Sequence, residues 1–292
     1  MQEFADKRLT RPDGRIVAWS EAGSERGRPV LRITGTPGSR LSLRSDMSPW
    51  LGRDLRMITP ERPGYGVSTR LPGRGFVEHA DDLTGILDEL GIDRVPIYGA
   101  SGAAPHILAF VARHPDRVVA ATILVGAAPL EEAEAEQMIE INVETRRLTL
   151  MGDVAGVRAV LVAARDEVLA NPIAGFISLM HTAPPSDQEI MGDPAWQIAF
   201  ARGITEALRP GVDGWLDEGL AIDRDWSDFD PREAARSITW WHSDGDRNCP
   251  LSAAQRLVGL LPDARLHVWS EAGHLTPYRK EAEILDELLA RC

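Results

Sequence analysis

"VPIYGASGAAPHILAF", residues 95–110, is the stretch that decides how the rest of the chain is read. Val95, Ile97 and Tyr98 favour a strand. After Ser101, small and apolar residues at helical spacing favour a helix that ends before Pro115. Between the two stand Gly99-Ala100-Ser101-Gly102-Ala103. A strand that becomes a helix this abruptly brings two backbones close together, so the positions two before and two after the turning residue must be small. Gly99 and Ala103 meet that requirement. The turning residue is a serine, and the strained turn holds its hydroxyl clear of the sheet in the manner of a nucleophile elbow. The N–H of Gly102 opens the helix, faces the same space and gains from the helix dipole, which makes it a candidate oxyanion donor. The pentapeptide alone is equally an ordinary Ser/Gly turn, and its last position is Ala where the elbow pattern has Gly.

The surrounding chain repeats the strand–helix rhythm. "RLTRPDGRIVAWSEAG" (8–23) reads as two strands around a Pro-Asp-Gly turn. "PVLRIT" (29–34) and "LRMIT" (55–59) are of strand length, and the segment between them, 41–54, is expected to be helical with an uncertain start at Pro49. Residues 76–92 carry apolar residues at helical spacing and stop at Gly91. "VVAATILVG" (118–126) reads as a buried strand. The alternation then breaks. From Pro129 to about Asp230 the pattern is helical, interrupted at Pro172, Pro184–Pro185, Pro194 and Pro210, and it resumes after Pro231 with strands at 237–243 and 264–270 and helices at 252–261 and 278–290. This order predicts an α/β fold with a mostly parallel central sheet flanked by helices. The helical block is expected as an insertion after the sixth strand: a core domain over 1–128 and 231–292, and a lid over 129–230.

The bulk composition narrows the partners. The chain has 292 residues with 32 basic and 44 acidic side chains, a net charge of −12. Such a surface repels nucleic acid and anionic membranes and favours a small-molecule partner. Only Lys7 and Lys280 are lysines; the arginine bias, with abundant Ala and Gly, resembles coding in a GC-rich bacterium. The two cysteines, Cys249 and Cys292, form no zinc spacing or disulfide framework. The N-terminus lacks an apolar signal core, and no run of about 18 apolar residues exists to span a membrane. A cytoplasmic location is expected, with a homodimer possible.

A serine hydroxyl needs a base. Of seven histidines, His106 lies five positions along the helix from Ser101 and is expected to face away. His79 and His114 belong to helices, His181 to the insertion, and His242 and His267 to strands. His274 follows the last strand in a loop entered through Gly273, and loops at the carboxyl ends of parallel strands are where ligands meet such sheets. It is the candidate base. The base needs an acid to fix its tautomer. Asp246, past the Gly245 turn after the penultimate strand, is preferred over Asp244, which suits turn initiation. Glu131 and Glu132, after the 118–126 strand, remain as alternatives. They belong to an acidic run, 131–136, that reads as a solvated face. A second oxyanion donor is expected from "TGTPGSR" (34–40), with the N–H of Thr36 placed by Gly35, Pro37 and Gly38.

Taken together, these residues resemble the α/β-hydrolase superfamily in its lidded bacterial branch. "TGTPGSR" is similar to the family's oxyanion loop, with Thr34 where a His is common. "ERPGYGVST" (61–69) is similar to the motif after the next strand, with Glu61 for Asp. "GASGAAPH", "HSDGDRNCP" and "EAGHLTP" follow as elbow, acid loop and base loop, in the family order Ser, Asp, His. The resemblance implies a catalytic triad of Ser101, Asp246 and His274, an oxyanion hole of Thr36 and Gly102, and no metal or organic cofactor. It implies a serine hydrolase acting on a carboxylic ester. Ile173, Phe176, Leu179, Met180, Trp196, Phe200 and Trp215 suggest a small, fairly apolar substrate, or simply a lid core. An acyltransferase or synthase, a carbon–carbon bond hydrolase, and a non-catalytic binding protein of the same fold are the other readings.

Overall fold

The computed structural model describes residues 5–44, 46–224 and 226–292. The strands are β1 (Ala5–Thr10), β2 (Ile16–Gly23), β3 (Arg28–Ile33), β4 (Leu55–Glu61), β5 (Val95–Ala100), β6 (Val118–Leu124), β7 (Ile238–Ser243) and β8 (Ala264–Trp269). They form one sheet in the order β1-β2-β4-β3-β5-β6-β7-β8. β1, β2 and β4 pair antiparallel, and every pairing from β4 to β8 is parallel. Strand β5, which leads into Ser101, is thus central, with β3 on one side and β6 on the other, which places three of the loops singled out in the sequence at one carboxyl edge.

Strand alternation builds two cores. Ile33, Ile58, Ile97, Ile123 and Trp240 face the helices Val77–Glu89 and Ala103–Arg113, where Leu83, Ile86, Ile107 and Phe110 are fully buried. Val30, Met57, Tyr98 and Leu124 point to the other face and pack against Trp50 and Ile284, Leu285 and Leu288 of the helix Pro277–Ala290. Each such side chain contributes about 1.5–3 kcal/mol by leaving water. Helix Ala103–Arg113 is buried along almost its whole length, so its apolar character extends all round.

The helical block inserted after β6 has its main elements at Glu140–Leu150, Val154–Ala170, Pro172–Leu179, Pro185–Met191, Pro194–Leu208 and Asp213–Asp223. Three of the prolines that interrupt the sequence pattern start helices, whereas Pro210 follows the end of Pro194–Leu208. Pro172, Pro185 and Pro194 occupy first positions, where a missing N–H costs nothing. Asn171 and Asp193 cap two of these helices through their side chains.

One element differs from expectation. Among the described residues of 41–54 there is a single turn of helix, Ser48–Leu51, with Pro49 in its first turn. Proline is tolerated in the first turn of a helix but not in its interior, so Pro49 fits a helix start and not the middle of a longer helix. The preceding residues are held instead by tertiary contacts: Leu43 is buried in the second core, and the Ser42 carbonyl accepts from Arg32 Nη1 at 2.7 Å.

Candidate active site

Ser101 sits in the left-handed region with φ of +61°, directly between β5 and its helix. Backbone bonds hold the turn: Ser101 N–H donates to the Leu124 carbonyl at 2.9 Å, and the Ser101 carbonyl accepts from Ala104 and Ala127 at 3.1 and 3.0 Å. The small neighbours are required by packing. A Cβ on Gly99 would collide with the Ile33 carbonyl oxygen and stand 2.7 Å from the Ala103 methyl. A left-handed serine held this tightly is a strained conformation of the kind found at functional sites.

The loop after β3 lies against the turn. A Cβ on Gly35 would come within 3.3 Å of Ser101 Cβ, and one on Gly102 would collide with Thr36 Oγ1. Thr36 and Gly102 are therefore neighbours beside Ser101. Gly102 is the N-cap of helix Ala103–Arg113, where the first backbone N–H groups have no partner within the helix.

His274 comes from the loop after β8. Its Nδ1 lies 2.8 Å from Asp246 Oδ2, and the other carboxylate oxygen accepts from the N–H groups of Asn248 and Cys249 at 2.7 and 2.9 Å. Asp246 is buried. Burial alone would lower the His274 pKa; the Asp246 carboxylate, with Asp187 behind it, outweighs this and raises it above the ordinary histidine value. His274 and Ser101 line the same cavity, of about 330 Å³. The thiol of Cys249 faces Ser101, and burial pushes its pKa far up, so it stays a neutral thiol.

The other candidates fall elsewhere. Asp244 Oδ1 accepts the Ala272 N–H at 3.3 Å, a bond between two loops. Glu131 belongs to the capping box of a short helix and stands 3.6 Å from Arg256. The acidic run 131–136 is not uniformly solvated: Glu134 is buried and ion-paired with Arg256 at 2.6 Å. His242 lies within β7, bonded to the Cys249 carbonyl and the Trp240 indole. His114 contacts Asp81, and His267 stacks on Trp241.

Two lid carboxylates at the site had no sequence signal. Asp187, on helix Pro185–Met191, accepts from the N–H groups of His274 and Leu275 at 2.9 and 2.8 Å. Glu218, on helix Asp213–Asp223, accepts from the Thr36 hydroxyl at 2.8 Å. Helical acidic residues ordinarily face water, so nothing in their spacing marks them. Arg62 also acts here: it donates to both the carbonyl and the hydroxyl of Thr34 and, at 2.7 Å, to the Gly35 carbonyl. Thr34 is thus a hydrogen-bonded support of the loop. Glu61, the other departure from the family motif, is buried and accepts from Arg40 Nη1 and the Val67 N–H at 2.9 and 2.8 Å.

The cavity is walled by the aromatic group Phe176, Trp196 and Phe200, with Trp196 and Phe200 stacked at 4.7 Å. Leu179, Met180 and Trp215 also line it, whereas Ile173 does not. Part of its lining is polar: Arg44 pairs with Glu281 at 2.8 Å, and Tyr98 donates to the same carboxylate at 2.7 Å. Among the described residues, no group of three or more His, Cys, Asp or Glu is placed to hold a metal ion, and no helix is long and apolar enough to cross a membrane.

Residues 28–280 match the model of the alpha/beta hydrolase fold. A 2-hydroxy-6-oxo-2,4-heptadienoate hydrolase from Pseudomonas putida is 29% identical over 266 residues, covering 85% of this chain and 83% of that protein. A non-heme haloperoxidase from Rhodococcus erythropolis is 25% identical over 269 residues, covering 91% and 92% of the two chains. Among solved structures, one from Nitrososphaera gargenis, described in work on carboxylesterases, superposes with a TM-score of 0.68 at 18% identity over 97% of both chains.

Proposed function

The chain belongs to the alpha/beta hydrolase fold family, and on that premise we propose that it is a serine hydrolase cleaving a carboxylic ester of a small, fairly apolar molecule through an acyl-enzyme on Ser101. The observation that carries this reading is the convergence of Ser101 and His274 on one cavity, with Asp246 2.8 Å behind the imidazole.

In this scheme Ser101 Oγ attacks the ester carbonyl while His274 Nε2 takes its proton. Asp246 fixes the tautomer through Nδ1 and stabilises the imidazolium. The oxyanion is held by the N–H groups of Thr36 and Gly102; losing one such donor costs about 10²–10³ in turnover. His274 returns the proton to the leaving alcohol. Water, deprotonated by the same imidazole, then attacks the acyl group and releases the acid and free Ser101. The scheme uses only the protein's own groups. Residues 129–230 act as a lid over a core of 1–128 and 231–292. A cavity of about 330 Å³ walled by Trp196, Phe200 and Phe176 supports a compact apolar substrate.

A second reading has one finding in its favour. The substrate named for the Pseudomonas putida relative is an oxo-dienoate, a ketone with no ester. The same nucleophile, base and oxyanion donors acting on such a ketone would break a carbon–carbon bond.

A fluorophosphonate probe and a series of p-nitrophenyl esters test the first reading. Labelling and ester turnover are expected in the wild type and lost in Ser101→Ala. A folded wild type that neither labels nor turns over any ester overturns the proposal. Turnover of a 2-hydroxy-6-oxo-dienoate at a kcat/KM above that of every ester favours the second reading.

A further inference from the structure

Glu218 is fully buried and meets partners from several separate parts of the core. Its Oε2 accepts from the Thr36 hydroxyl at 2.8 Å, the Tyr65 hydroxyl at 2.7 Å and Arg62 Nη2 at 3.2 Å. Its Oε1 lies 2.6 Å from Arg62 Nε, 2.8 Å from His106 Nε2 and 3.4 Å from Arg74 Nη2. Thr36 belongs to the oxyanion loop, Arg62 and Tyr65 to the turn after β4, and His106 to the nucleophile's helix. One carboxylate from the lid therefore ties together every element that frames the oxyanion hole. Ile222, one turn further along the lid helix, adds a contact at the elbow: its Cδ1 lies 3.3 Å from where a Cβ of Gly102 would stand.

The charges explain why the arrangement is rigid. Burial pushes His106 down to about 4, so it is neutral near pH 7. Burial would raise the Glu218 pKa, but Arg62, the His106 bond and Arg74 hold it well below the carboxylate range. A buried carboxylate paired with two buried guanidiniums is costly to separate, because any group left behind is an unpaired buried charge. The same Arg62 holds the Thr34 and Gly35 carbonyls. The backbone on both sides of Gly35 thus depends on the Arg62–Glu218 pair, and the Thr36 side chain depends on Glu218 directly.

We propose that Glu218 is a positioning residue that makes the oxyanion hole conditional on the lid being seated: it fixes the Thr36 loop against Ser101 through the Thr36 hydroxyl and Arg62. This rests on the reading of Ser101 as the acylated nucleophile. Glu218 touches no reacting atom; it acts through the loop whose N–H faces the oxyanion.

The test uses the full chain with Thr36→Val, Glu218→Gln and the double variant. Near-ultraviolet circular dichroism and thermal unfolding report folding. Fluorophosphonate titration counts competent sites. The kinetic readouts are kcat and KM for a p-nitrophenyl ester, and the affinity of a trifluoromethyl ketone, which forms an oxyanion on the serine. Thr36→Val removes only the hydroxyl that meets the lid and keeps the backbone N–H. It is expected to lower kcat per titrated site about tenfold to a hundredfold, with KM changed by less than about threefold and ketone affinity reduced in step with kcat. Glu218→Gln is expected to do at least as much, and the double variant less than the product of the two. The proposal is overturned if folded Thr36→Val keeps wild-type kcat and ketone affinity. It is equally overturned if Glu218→Gln lowers only the melting temperature while kcat per site stays constant. Should Glu218→Gln fail to fold, Thr36→Val alone decides. A wild type that neither labels nor turns over the ester overturns the Ser101 reading and this proposal with it; a labelled wild type with indifferent variants overturns this proposal alone.

Discussion

Asp246 Oδ2 stands 2.8 Å from His274 Nδ1, and its other oxygen is occupied by two backbone N–H groups of its own loop. The two backbone bonds orient the carboxylate independently of its bond to the histidine. Asp246→Asn keeps the shape and one acceptor but turns a donor toward Nδ1, which favours the wrong tautomer. The expected outcome is a fall in kcat of about 10⁴ in p-nitrophenyl ester hydrolysis, with the circular dichroism spectrum unchanged. A drop of less than tenfold would argue that another acid serves His274.

The pH profile follows from the same pair. In the proposed scheme His274 must be neutral to accept a proton, and its pKa is raised because Asp246 and Asp187 outweigh the effect of burial. His242 also faces the pair, 3.8 Å from Asp246 Oδ2, and burial lowers its pKa. Activity is expected to fall as the pH drops through a value above the ordinary histidine pKa of about 6.5. Asp187→Asn removes one of the two negative charges, and the acid limb of kcat/KM should move to lower pH. A limb that stays in place, measured over pH 5–9 on a folded variant, would show that Asp187 only supports the loop.

Asp223 offers a stability test away from the chemistry. Burial raises its pKa from 3.8 to about 7, with only partial relief from Arg146 at 3.9 Å. The folded state then binds a proton more tightly than the unfolded state. Stability is full below the unfolded value and is lost as the pH rises toward 7, the reverse of the usual carboxylate behaviour. Asp223→Asn is expected to remove this slope and to gain on the order of 1–3 kcal/mol at pH 8, read as a higher urea midpoint than the wild type at pH 8 but not at pH 4. Equal midpoints at pH 8 would refute the assignment.

The stacked pair Trp196 and Phe200 walls the cavity, and on the proposed reading it limits the size of the substrate. Trp196→Ala should open the cavity and shift the preferred acyl chain of p-nitrophenyl esters to greater length, at a cost of about 3–5 kcal/mol in stability. An unchanged chain-length optimum would place the acyl group elsewhere in the cavity.

Much of this was legible along the chain. The strand pattern around Ser101 and the helical pattern of 129–230 identified elements that the structure contains, because periodicity is a local property; that three of the breaking prolines begin helices came from the structure. Helix over 41–54 failed because the buried side chain of Leu43 and the Arg32 bond to Ser42 were won by tertiary contacts that no local pattern carries. The solvated reading of 131–136 failed at Glu134 for the same reason, since its partner Arg256 lies 122 residues away.

The sequence by itself determined the order of strands and helices, the sharp turn at Ser101 and which loops follow which strands. These depend on propensity, periodicity and the small side chains of neighbours. Only the tertiary structure brought Asp187 and Glu218 to the site beside Asp246, which the sequence had already singled out. Asp187 and Glu218 read as ordinary surface acids on amphipathic helices, and what distinguishes them is burial against backbone N–H groups and guanidiniums supplied by segments far away in the chain. The electrostatic environment of a buried carboxylate is set by what surrounds it in space, and residue spacing carries no record of that.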